Sequence, residues 1–216
     1  MLSVIFDMDG VIFDTEVLCR RAWHACSGKY GVKDVDSLLA SCIGGNRERM
    51  LEVLKHVMGE DFPALDFLED ARREIRRLWD EEGIPVKKGA KEILDWLKQR
   101  NAIVGLASST DYNTVVSQLG NAGFLDYFQA VVGGDQITRS KPDPEIYQTV
   151  CRKLGICPED AYAVEDSYNG VRSASSAGMQ TIMVPDLLPP TEEMEKLAYR
   201  ILPDLCCVKE LFVEST

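Results

Sequence analysis

The sequence predicts an α/β fold: a Rossmann-like, three-layer core on a parallel sheet, with an all-helical domain inserted into it. Three observations carry this. A short apolar run, Val4-Ile5-Phe6, stands near the N-terminus and ends in Asp7, Asp9 and Gly10. Residues 14–83 then show only helical periodicity. From Gly89 onward, short apolar runs alternate with helical ones, the pattern of strands joined by crossover helices. The division reads as 1–13 and 84–216 for the core and 14–83 for the insert.

Each element has its own signal. Val4 to Phe6 reads as a buried strand. Residues 16–30 form a helix with Leu18, Ala22, Trp23 and Cys26 on one face, closed by Gly31. Asp34 and Asp36 lie among turn-like residues, and no chemistry is assigned to them. Gly44-Gly45-Asn46 is a loop, Glu48 to Met58 a second helix, and 64–80 a third. Arg72, Arg73, Arg76 and Arg77 read as an ion-paired helix face, with Glu69–Arg73, Arg76–Asp80 and Arg77–Glu81 at helical spacing. In the core, Ile103 to Ala107, Ala130 to Val132, Ala161 to Val164 and Thr181 to Val184 are strands. Helices run between them, one opened by Asp143-Pro144 and ended by Gly155.

Composition narrows the function. The chain has 216 residues, 45% of them apolar, and a net charge of −11. That charge argues against nucleic acid or an anionic membrane as partner. There is no run of 18 apolar residues, and Asp7 comes too early for a signal peptide, so a cytoplasmic protein is expected. The seven cysteines show no CxxC spacing and read as small apolar residues in a reducing compartment. With only His24 and His56, both in helical patterns, a histidine metal site or a Ser-His-Asp triad is not expected.

Ligands of parallel sheets bind beyond the carboxyl ends of the strands. Those ends carry Asp7 and Asp9, then Ser108 and Ser109, then Glu165 and Asp166, with Lys141 in a nearby loop. Taken singly, the serines cap a helix, Lys141 is a surface lysine and Glu165-Asp166 caps the next helix. A calcium loop at DMDG lacks oxygen ligands at Val11 and Ile12. Together the groups suit another chemistry. Converging carboxylates repel and call for a hard divalent cation, and an oxygen-only donor set indicates Mg²⁺. A serine and a lysine suit a phosphate that shares the metal. One aspartate can then attack phosphorus while the second serves the leaving oxygen.

Four stretches, DMDG, LASST, RSKPDPEIY and VEDSYNG, resemble in order the motifs of the haloacid dehalogenase superfamily, in its branch with a helical cap. The resemblance spans nearly the whole chain. It implies Asp7 as nucleophile and Asp9 as acid/base, whose main-chain carbonyl also reaches Mg²⁺. Ser108, Ser109 and Lys141 would hold phosphate, and Asp166 would ligate the metal with Glu165 in or behind its coordination sphere. Within the superfamily the chain resembles β-phosphoglucomutase and the small-sugar phosphatases. Thr15, Trp23 and Arg47 fit that group, which implies Thr15, Glu16 and Arg47 on the cap side of the substrate. The mutase pattern carries a histidine where this chain has Cys19, and "DTE" resembles the phosphatases. The expectation is therefore a Mg²⁺-dependent phosphatase, acting as a monomer on a small phosphorylated metabolite. A phosphosugar mutase is the first alternative, and a non-catalytic phospholigand-binding protein the second.

Overall fold

A computed structural model describes residues 1–42 and 47–214. The chain divides into two compact units, one formed by 1–14 and 86–216 and the other by 15–85.

The larger unit begins with β1 (Ser3–Phe6). The helical unit holds α1 (Thr15–Tyr30), α2 (Val35–Cys42), α3 (Arg47–Met58) and α4 (Ala64–Glu82). The larger unit resumes with α5 (Ala90–Gln99), β2 (Ile103–Ala107), α6 (Tyr112–Asn121) and β3 (Ala130–Val132). It continues through α7 (Glu145–Leu154), β4 (Tyr162–Glu165), α8 (Tyr168–Ser176) and β5 (Gln180–Met183). It closes with α9 (Glu192–Leu197), β6 (Arg200–Ile201) and α10 (Leu205–Glu214).

The strands form one sheet in the order β3-β2-β1-β4-β5-β6, every pair parallel. β1 is buried on both faces, which is why it reads as an unbroken apolar run. Neighbouring residues of the sheet serve opposite faces. Ile5 and Ala163 pack with Ile146, Val150 and Ala174 of α7 and α8. Tyr162 turns the other way, onto Phe212 of α10 at 4.9 Å, and Phe212 stacks on Trp96 of α5. Helices thus cover both faces.

Side chains start these helices. Ahead of α7, Asp143 Oδ1 accepts from the Glu145 amide, but the cap position there is Pro144 and not Asp143 as the sequence suggests. At α6 and α8, Asp111 Oδ1 accepts from the Thr114 amide at 3.0 Å and Ser167 Oγ from Gly170. Such caps contribute about 1 kcal/mol each. The two chain crossings into the helical unit are tied together inside the larger one. Phe13 bridges Val86, and the Lys87 amide donates to Ile12 O at 2.9 Å.

The helical unit has its own core of Trp23, Leu38, Leu39, Leu54, Phe67 and Ala71. Trp23 meets Phe67 edge-on at 5.0 Å. The structure corrects three sequence readings here. Asp34 and Asp36 are not in a mere turn. Asp34 takes the Ser37 amide and hydroxyl at the start of α2, and Asp36 takes a two-point bond from Arg20. α2 escaped notice because eight residues give little periodicity to read. The arginine face of α4 is only half paired. Arg77 binds Glu81 as expected and Glu74 besides, whereas Arg73 pairs with Asp70 and not with Glu69. Among the described residues, Arg72 and Arg76 form no ion pair.

No helix among the described residues is long and apolar enough to cross a membrane.

Candidate active site

The site lies where strand order reverses, at the carboxyl ends of β2, β1 and β4. β1 delivers Asp7, whose amide still donates to Val164 O of β4 at 2.9 Å. β4 ends at Glu165, and Asp166 follows. Carboxylate oxygens of Asp7, Glu165 and Asp166 all lie within 4.8 Å of one another.

Two glycines make this convergence possible. Gly10 has φ +88°, and a Cβ there would overlap the Asp166 carboxylate. Gly170, in the first turn of α8, leaves room for the Glu165 carboxylate to lie against the helix.

Among the described residues, Lys141 is the cation that pairs within this group. Its Nζ donates to Asp7 Oδ1 at 2.5 Å, to Glu165 Oε1 at 2.6 Å and to Ala107 O at 3.2 Å. Glu165, with no exposure, takes five donors. Oε1 takes Lys141 and the Tyr147 hydroxyl at 2.8 Å, and Oε2 takes the Asp166 amide and the amide and hydroxyl of Ser167. The Asp166 carboxylate makes no hydrogen bond among the described residues.

Electrostatics follow from this burial. Burial pushes the Asp7 carboxyl up to about 8. Lys141 opposes the shift, and Glu165 and Asp9 add to it. Asp166 is raised well above the carboxylate range, first by burial and then by Glu165 and Asp7. Burial also pulls the Lys141 ammonium down, but Asp7 and Glu165 outweigh it and hold the lysine above its ordinary value. A group of three acids with one lysine is short of positive charge. A hard divalent cation fits the oxygen-only donor set and would restore the ionised form of Asp7. Asp7 and Asp166 have oxygens to offer it. Those of Glu165 are already committed to donors.

Asp9 stands apart from that cluster. Its Oδ2 takes the Thr110 hydroxyl at 3.0 Å and the Ser108 hydroxyl at 3.4 Å. Ser108 is fully buried and also accepts from the Thr110 amide. Ser109 is exposed, and its side chain makes no hydrogen bond among the described residues. Thr110, Tyr147 and Ser167 are the residues that sequence reasoning missed. Thr15 and Glu16 open α1 in the helical unit and are half-buried. The side chain of Arg47 lies outside the described residues, as do 43–46.

A family model described as haloacid dehalogenase-like hydrolase matches residues 4–184. The chain belongs to that family. A phosphorylated carbohydrates phosphatase of Thermotoga maritima is 33% identical over 84% of this chain and 84% of its own length. Hexitol phosphatase B of Escherichia coli is 30% identical over 86% of this chain and 84% of its own. Among solved structures, a Thermotoga maritima protein proposed to be a β-phosphoglucomutase superposes with a TM-score of 0.81 and 30% identity. That match covers 98% of this chain and 100% of the other. A haloacid dehalogenase-like α/β core with phosphatase relatives accounts for the motif order along the strand ends.

Proposed function

We propose that this protein is a Mg²⁺-dependent phosphatase of small phosphorylated metabolites, sugar phosphates foremost, working through an aspartyl-phosphate. The observation that carries the reading is Asp7 at the end of the central strand, bound by Lys141 and crowded by Asp166 and Glu165.

Asp7 is the nucleophile. One of its oxygens attacks phosphorus as the bond from phosphorus to the leaving oxygen breaks. Asp9 gives its proton to that oxygen, then takes one from the water that attacks the phosphorus of phospho-Asp7. The hydroxyls of Thr110 and Ser108 hold Asp9 Oδ2 and so orient the carboxyl that carries the proton. Lys141 holds a phosphate oxygen and offsets the repulsion between two anions. Asp7 and Asp166, with the Asp9 carbonyl, would hold Mg²⁺. When bound, the metal neutralises the phosphate and lowers the Asp7 pKa.

The helical unit is read as the selector of substrate. It contains a cavity of about 740 Å³ lined by Trp23, Met50, Leu68 and Ile75 and by the charged Glu69, Arg72, Arg73 and Arg76. A mutase reading finds little support at Cys19. Burial, with Glu16 adding, pushes its thiol up to about 12, which suits a neutral, buried thiol better than the titrating histidine of the mutase pattern.

The test is phosphate release from a panel of phosphorylated sugars, alditols and sugar acids, with Mg²⁺ and with EDTA. Release from several of them, lost in EDTA, supports the reading. Conversion of β-glucose 1-phosphate without release would move it to the mutase. Tight binding without turnover would make it a binding protein.

A further inference from the structure

Tyr147 has no part in the scheme above, yet its phenol is fully buried in the first turn of α7. Its ring packs with Ile5, Ala107 and Ala163 in the core beneath the sheet. A phenylalanine would fill that volume equally well. The hydroxyl is what packing does not require. It donates to Glu165 Oε1 at 2.8 Å, the oxygen that Lys141 also binds, and Lys141 Nζ lies 5.2 Å from the ring centre.

A count of protons gives this contact a purpose. An ammonium has three N–H groups, and those of Lys141 are all taken, by Asp7, Glu165 and Ala107 O. A phosphate that is to be held by Lys141 must take one of them. Taking the one on Glu165 would strip a donor from a carboxylate oxygen that water cannot reach. Tyr147 is the second donor on that same oxygen.

We propose that Tyr147 is a positioning residue: its hydroxyl keeps Glu165 satisfied and in place while Lys141 turns an N–H from Glu165 to the phosphate. This rests on the phosphatase reading, in which Lys141 meets the phosphate. It adds that phosphate binding depends on a tyrosine that never touches phosphate.

The experiment compares wild type with Tyr147→Phe in Mg²⁺, using inorganic phosphate as the probe. Calorimetry reads its dissociation constant, and steady-state kinetics separate KM from kcat for one phosphomonoester. The expected result is about tenfold weaker phosphate binding and a similar rise in KM. In a Lys141→Met background the Tyr147→Phe effect should vanish. Unchanged phosphate affinity and KM, with only a lower melting temperature, would reduce Tyr147 to a core residue and overturn the proposal. Should Tyr147→Phe fail to fold, a phosphate-bound structure of the wild type decides. Lys141 on a phosphate oxygen with the Tyr147–Glu165 bond intact supports the proposal, and Lys141 keeping all three present partners overturns it. A wild type that neither binds phosphate nor hydrolyses any phosphomonoester refutes the phosphatase reading itself, and this inference with it.

Discussion

Asp9 Oδ2 takes two hydroxyls, and the shorter bond, 3.0 Å, comes from Thr110. That bond orients a proton donor, so its loss should matter most where leaving-group protonation is hardest. Thr110→Val is expected to lower kcat about tenfold on alkyl phosphates and to leave p-nitrophenyl phosphate hydrolysis near wild type. Equal loss on both would remove Thr110 from this role. Asp7, Lys141, Glu165 and Asp166 were legible because each stands at a strand end or in a loop with a charge that needs a reason to be there. Thr110 and Tyr147 were not. A loop threonine and a helix tyrosine look ordinary until the fold turns Thr110 back to Asp9 and buries Tyr147 against Glu165. Gly10 was half legible: a tight exit asks for glycine, but only the fold shows Asp166 passing over it.

Among the elements, α1 and α4 are joined by a polar knot at Asp70. Its carboxylate accepts from Lys29, Arg73 and the Tyr30 hydroxyl, the last at 2.6 Å. The Lys29 bond first, then Tyr30 and Arg73, hold Asp70 below the ordinary carboxylate range. A folded pKa below the unfolded value of about 3.9 means stability that is present above roughly pH 4 and lost as pH falls below it. Urea unfolding of the wild type should therefore weaken on the acid side of pH 4. Asp70→Asn should be less stable at neutral pH and should show a flatter acid limb. A parallel loss in both proteins would assign the acid limb to other carboxylates. The pairing itself could not be read along the sequence, since Lys29 and Asp70 lie 41 positions apart. β2 and β3 were read to the residue because apolar runs between turn signals bound them sharply. α2, α9, β6 and α10 were not read, since two to ten residues of mixed polarity give neither period a clear lead.

Over the whole molecule, charge is distributed against its average. The chain carries −11, yet Arg72 and Arg76 border the cavity of the helical unit without an ion pair among the described residues. Helical spacing had suggested pairing for Arg76, and the folded helix does not form it. If the helical unit selects the substrate, Arg72→Gln with Arg76→Gln should reorder the substrate panel. KM should rise about tenfold for phosphorylated sugar acids or bisphosphates and stay unchanged for neutral alditol phosphates. A uniform change across the panel would deny these arginines a part in selection. The central claim is that Asp7 carries the phosphoryl group, and one measurement bears on it most directly. Asp9→Asn, mixed with Mg²⁺ and a substrate with a good leaving group, is quenched in acid and mapped by peptide mass spectrometry. The account predicts a base-labile phosphoryl group on the peptide bearing Asp7, formed at the rate of leaving-group release and absent when Asp7 is also replaced by Asn. Leaving-group release with no phosphoryl group on Asp7 at any time, or undiminished release after Asp7→Asn, would contradict it.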